Sequence, residues 1–369
     1  MTLQDTPAGK GAHSATVAAL EDSATKWSVP TPMTTVFDWD YTHGREQLLR
    51  LYDKGTRNQW VASDRIDWSH DLDPTDPLGA PDESIPIADA PIWGRMSEAQ
   101  KGEVRQHMVA WQFSQFMHGE QGALVCTAKI VNTVPDIDAK FYAATQVVDE
   151  ARHVEVYSRF LHEKVELTYP INHNLKTLLD QGLSDGRWDF TYLAMQVLIE
   201  GLALAAFGMI RNMATDPLAR AVNAYVMQDE ARHVMFGRLA LRDYYPQLTQ
   251  AERDDREAFV VEACYRMRDR FLGEEVWERL GLPVAETTDH VRSSETQRLF
   301  RGFLFQRIVP VLRDIGLFGP KVRAAFEDMG VMGFADTDLE ALVAEDDAVA
   351  EEFDRLAHIR TVADAADGG

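Results

Sequence analysis

Cysteine is nearly absent. Cys126 and Cys264 are the only two in 369 residues, which excludes a disulfide framework and fits a reducing cytosol. Positive charge is also scarce, with 37 Lys and Arg against 59 Asp and Glu and a net charge of −22. Such a surface repels phosphate backbones and anionic lipid, so no nucleic acid and no membrane is expected among its partners. No stretch reaches the roughly 18 uncharged apolar residues of a membrane span. Residues 1–28 lack the continuous apolar core of a signal peptide or anchor. Strand-like alternation is missing too. What remains is a 45% apolar chain able to fill a sizeable core. The expectation is a cytoplasmic, soluble, all-α protein.

The chain divides by composition. Residues 1–35 read as a flexible N-terminal arm, and 36–96 as an N-terminal helix followed by a long connection. Leu48, Leu49, Leu51 and Tyr52 cluster on the helix predicted over 42–60. Asp and Pro crowd 67–93 without helical period, as in an ordered connection or lid. Four helices are predicted at 97–132, 138–166, 188–213 and 216–244, within a bundle spanning 97–245. Pro135 ends the first, and Asp216 before Pro217 is an N-cap and first-turn pair. Residues 246–369 supply C-terminal helices packed on the bundle, at 250–272, 294–312 and 338–358, with fraying over 363–369.

Within the bundle, Asp149-Glu150-Ala151-Arg152-His153 recurs letter for letter as Asp229-Glu230-Ala231-Arg232-His233, 80 positions later. Glu120 precedes Glu150 by thirty residues, and Glu200 precedes Glu230 by the same interval. This is an internal repeat of a helix pair. Glu and His three apart lie about 60° apart around a helix, so both can face one seam. A Glu thirty positions upstream lies on the preceding antiparallel helix and returns to the same level. Exposed Glu/His pairs are common on helices, but two identical pentapeptides with matched upstream glutamates are not. Phe113, Phe116, Met117, Val147, Val197, Leu204, Val226 and Phe236 make the same faces apolar, as a core site requires. Four carboxylates and two imidazoles buried unpaired would cost roughly several kcal/mol per charge. Two divalent cations remove that cost, and this donor set is the known pattern of di-iron carboxylate bundles.

The constellation resembles the ferritin-like, ribonucleotide-reductase-like di-iron carboxylate superfamily in its oxygenase form, over residues 97–245. The run from Gly55 to Trp68 is similar to the segment before the bundle in some of these oxygenases. The resemblance implies a ferritin-like four-helix bundle with additional N- and C-terminal helices. It implies Glu120, Glu150, His153, Glu200, Glu230 and His233 as ligands of two Fe ions, or of a Mn/Fe pair. Asp149 and Asp229 would accept the distal imidazole N–H groups, with Arg152 and Arg232 balancing them. It further implies O2 as co-substrate, an external electron donor (reductase or ferredoxin), a small, largely apolar organic substrate and a homodimer. The activity expected is monooxygenation by a non-haem di-iron enzyme, with acyl desaturation or N-oxygenation as alternatives. A ferroxidase, a metal-binding protein or a subunit of a larger hydroxylase complex is the reading from another class.

Several residues weigh the subfamilies. Tyr157 stands four after His153, where reductase subunits place a radical tyrosine, but residues 363–369 lack the docking aromatic of such subunits. Arylamine N-oxygenases add a histidine one turn before the last Glu-x-x-His, and Val226 occupies that position, which weighs against them. Ala203 and Leu204 replace the proton-delivering threonine of many hydroxylases and desaturases, while Thr127 lies two turns after Glu120. Phe236-Gly237 matches the aldehyde deformylases. Gly119, Gly122, Ala123, Ala203 and Gly237 are small enough to leave room for a substrate or to pack helices closely.

Overall fold

Ser97 opens the first long helix by accepting from the Gln100 amide, while the Gln100 side chain returns to the Ser97 amide as a capping box. A computed structural model describes residues 26–42 and 44–367, and among them no strand occurs. The expected flexible arm falls largely on residues outside that description. In chain order, α1 is Glu46–Arg57, α2 Glu98–Thr133, α3 Ile137–Arg159, α4 His173–Ser184, α5 Trp188–Met213 and α6 Pro217–Tyr244. Beyond the bundle lie α7 Gln250–Asp269, α8 Glu274–Arg279, α9 Val284–Ser293, α10 Glu295–Phe303, α11 Ile308–Asp314, α12 Pro320–Asp328 and α13 Leu339–Asp367.

Short connections fold α2 onto α3 and α5 onto α6 as antiparallel hairpins. Asp136 and Asp216 start the return helices by accepting from Ala139 and Ala219 amides. The hairpins meet through α3 and α6, and α1 lies across both. This is the expected four-helix bundle with added helices at each end.

The differences have local causes. α5 is not α-helical throughout: Leu193–Ile199 widen into a π segment that ends at Glu200. α3 passes into a second π turn, Phe160–Val165, and stops at Glu166, whose φ is 54°. The 294–312 helix is interrupted by turns at 304–307. At the far end α13 runs to Asp367 instead of fraying from 363, in keeping with the helix-favouring alanines there. α4 was not anticipated, although Leu175, Leu178, Leu179 and Leu183 give it a buried face. The 67–93 connection is ordered: Leu78 O accepts from the Thr215 and Asp216 amides, and His70 meets Asp216 at 2.7 Å. Among the described residues one helix, α5, is long and apolar enough to cross a membrane, and 83% of its apolar window is buried inside the fold.

Candidate metal centre

The six predicted donors converge. Glu120 comes from α2, Glu150 and His153 from α3, Glu200 from α5, and Glu230 and His233 from α6, all buried. The two imidazoles present Nδ1 to the carboxylates. His153 Nδ1 lies 3.3 Å from Glu120, 3.4 Å from Glu150 and 3.1 Å from Glu230. His233 Nδ1 lies 3.1 Å from Glu150 and 3.3 Å from Glu230. Two overlapping donor groups result: Glu120, Glu150, His153 and Glu230, and then Glu150, Glu200 and His233. Glu150 belongs to both, which places it between two positions.

Several donor atoms have no hydrogen-bond partner among the described residues: Glu150 Oε2, Glu200 Oε2, both oxygens of Glu230, and His233 Nδ1. Orphaned acceptors at the centre of a core are rare in native proteins. Their coincidence on these residues fits a pair of cations. Burial, reinforced by Glu230, pushes Glu120 well above the usual carboxylate range, and burial does the same to Glu200. Burial also opposes ionisation of Glu150, but His233 and His153 beside it outweigh that and hold its carboxyl low. The metal-free cluster thus cannot ionise all its carboxylates together.

Behind the imidazoles, the Asp/Arg pairs cross between the repeats. His153 Nε2 lies 3.1 Å from Asp229 Oδ2, and His233 Nε2 lies 3.2 Å from Asp149 Oδ2. Arg152 donates to Asp149 at 2.5 Å and to Asp229 at 2.9 Å, while Arg232 donates to Asp229. Each aspartate therefore fixes a histidine of the other hairpin, tying the two halves together.

Three further residues were not singled out from sequence. Trp60 Nε1 donates to Asp229 at 2.9 Å, and Gln59 Nε2 to Asp149 at 2.7 Å, both within the Gly55–Trp68 run. Gln146 Nε2 donates to Glu150 at 2.9 Å and Glu200 at 3.0 Å. Its signal lay in the repeat itself: Gln146 stands four before Glu150, and its counterpart four before Glu230 is Val226. The half-sites are unequal at that point.

Beside the carboxylates lies a narrow cavity of about 20 Å³. Glu120, Glu200 and Glu230 form part of its wall, with Phe116, Phe207 and Arg270 among the rest. Of the small residues, Gly119, Ala123 and Ala203 line it. Gly122 instead packs against Leu179, and Gly237 against Gln196. Tyr157 is fully buried between Phe113, Phe116 and Phe207, its hydroxyl 3.4 Å from Asn223 Oδ1. Thr127 accepts from Gln196 Nε2 at 3.3 Å, across to the π segment, and lies outside the residues lining the cavity.

A family model described as P-aminobenzoate N-oxygenase AurF matches residues 42–316. A search of curated proteins gives no match. Among solved structures, the chain is similar to two variants of an R2-like ligand-binding oxidase with an anaerobically reconstituted Mn/Fe cofactor. Each is 18% identical over 76% of this chain and 96% of the other, with TM-scores of 0.47 and 0.46.

Proposed function

The chain belongs to the family of P-aminobenzoate N-oxygenase AurF, and from that membership we propose that it transfers oxygen from O2 to the nitrogen of a small aromatic amine. It is an O2-dependent di-metal oxidoreductase acting on a small organic molecule. The weight that Val226 placed against N-oxygenases is thereby corrected. Position 226 is buried and apolar, and the remaining donor set has six side chains.

The observation that carries the reading is the convergence of six buried donors, with unpartnered oxygens, beside a cavity. In this reading Glu120, Glu150, His153, Glu200, Glu230 and His233 would hold two Fe ions, or one Mn and one Fe. When bound, the metals supply the reduction of O2. The chain's own residues do the rest. Asp229 and Asp149 keep the proton of each imidazole on Nε2, so Nδ1 offers its lone pair to the centre. Arg152 and Arg232 balance the aspartates, and Gln146 restrains Glu150 and Glu200. Phe116, Phe207, Met195, Ile199 and Leu175 line the cavity with apolar surface that excludes water.

Electrons from a reductase or ferredoxin are proposed to enter through an outer cleft lined by Gln59, Trp60 and Arg232. Lys54, Arg57 and Arg65 join Arg232 there against Asp347 and Glu351, a local positive excess on an acidic protein. From its floor, Trp60, Asp229 and His153 form a hydrogen-bonded file to the centre.

The test is to load the purified protein with ferrous iron, count metals per chain, and react it with p-aminobenzoate, a chemical reductant and 18O-labelled O2. Two metals per chain and 18O on the product nitrogen are expected. Iron turnover to mineral with no oxidised amine would overturn the reading. Size-exclusion chromatography giving a dimer, not a cage, is expected alongside.

A further inference from the structure

We propose that dioxygen reaches the buried donors through an apolar pocket at the outer end of the seam between α2 and α5, past a gate formed by Trp111 and Phe271. This rests on the O2-dependent reading of the donor cluster. The pocket measures about 60 Å³, against about 20 Å³ for the cavity beside the carboxylates. The two spaces are consecutive along the same elements. No residue lines both, yet neighbours divide between them: Ala206 lines the outer and Phe207 the inner, Phe271 the outer and Arg270 the inner. On α2, Trp111 walls the outer pocket and Gln115, one turn on, the inner cavity. Where they adjoin, Trp111 meets Phe271 edge to face with ring centroids 6.3 Å apart, and Phe116 meets Phe207 at 4.7 Å.

The pocket runs from surface to core. Met108, Met209, Met213 and Phe300 are half-buried at its mouth, whereas Trp111, Ala206 and Ile210 at its floor are at most 3% exposed. Size and polarity decide what passes. A space of roughly 10–15 Å³ holds one water, so the inner cavity admits a molecule as small as O2. A water in the outer pocket would need two to four polar partners, and the methionine and aliphatic side chains that dominate its wall supply none. A nonpolar diatomic needs no such partner.

The rim is fixed while the gate is not. Residues 84–86 of the long connection form part of the outer wall and are pinned on either side. Asp82 accepts from Arg105 at 2.6 Å, and Asp89 accepts from Ser294 at 2.9 Å and meets His290 at 2.7 Å. The connection therefore frames the mouth, passing a small molecule and holding back a larger one. Trp60, Trp68 and Trp277 are each held by an indole hydrogen bond, but Trp111 Nε1 has no partner among the described residues. Packing alone holds the Trp111 ring, so turning it aside breaks no hydrogen bond.

The experiment has two readouts. Crystals of the metal-loaded protein are pressurised with xenon, an apolar probe of such cavities. Xenon is expected in the outer pocket of the wild type. It is expected to be absent in Ala206→Phe, which fills the floor, and in Met209→Trp, which fills the half-buried mouth and carries the test should the first variant not fold. Loaded, chemically reduced protein is then mixed with O2 by stopped flow. Both variants should lower the second-order rate constant by at least about tenfold, with iron affinity by chelator competition unchanged. Trp111→Leu, which removes the ring of the gate, should raise that rate constant; a value at or below wild type overturns the gate. The route is overturned if xenon does not enter the wild-type pocket, or if variants that exclude xenon react with O2 at the wild-type rate. Weaker p-aminobenzoate binding with an unaltered O2 rate would make the pocket the entrance of the amine, and overturns it equally. O2 consumption that obeys the block while no nitrogen is oxidised supports the route and defeats only the N-oxygenase reading. Nitrogen oxidation indifferent to the block defeats the route and leaves that reading.

Discussion

Asp229 receives hydrogen bonds from four groups, Arg152, Arg232, Trp60 and His153, and two of those donors are cations. Burial opposes its charge, yet Arg232 and His153 outweigh that and hold its carboxyl far below the usual range. Asp229→Asn keeps the shape but puts an amide N–H where an acceptor is required. Iron affinity, measured by chelator competition, should fall about 10- to 100-fold, because the His153 ring loses its orienting partner. An unchanged affinity would mean that the aspartate is only a structural ion pair. The cysteines test burial at the same scale. Cys126 is pushed up to about 12 by burial, so about one part in ten thousand is thiolate at pH 8. Iodoacetamide should leave Cys126 and Cys264 unmodified in the folded protein and label both in guanidinium. Labelling of the native protein within minutes would contradict this packing.

Single helices hold residues of opposite consequence within one turn. A Cβ at Gly119 meets nothing within 4 Å, whereas one at Gly122 comes 2.4 Å from Leu179 Cδ2. Gly119→Ala should stabilise α2 by about 0.5–1 kcal/mol through its backbone alone. Gly122→Ala should destabilise it by about 1–3 kcal/mol through overpacking. Urea midpoints of the two variants should therefore move in opposite directions; movement in the same direction would refute the assigned faces. The same contrast explains what the sequence made legible. α2, α3, α5 and α6 announce themselves by caps, turn residues and a repeated pentapeptide, all local signals. The π segment does not, because Leu193–Ile199 is apolar on nearly every side and offers no face whose period could change. Gln146 was concealed by attention to the letters that repeat, since its meaning lies in the pair with Val226 that does not. The outer pocket was beyond reach altogether, for its walls meet only once the chain is folded.

Across the whole molecule, the bundle carries a charge problem that metal is proposed to solve, and pH should expose it. Burial raises Glu120 and Glu200 in the metal-free fold. Burial disfavours the imidazolium of His153 and His233, but the carboxylates around them prevail and raise both. Each of these four groups holds its proton more tightly folded than unfolded. Their contribution is complete below the unfolded pKa and is lost as pH rises toward the folded value. Glu150 and Asp229 act oppositely, but their contribution is already complete above about pH 6. Metal-free protein should therefore lose stability between about pH 6 and pH 8. Bound cations reverse the sign, because they require the deprotonated donors and bind more tightly as protons leave. At a free metal concentration about 1,000 times the dissociation constant, binding adds about 4 kcal/mol. Scanning calorimetry at several pH values should show the gap between metal-loaded and metal-free melting temperatures widening from pH 6 to 8. A gap that stays constant or narrows would mean that the six side chains do not give up their protons to a common centre, and that whatever metal binds is held elsewhere.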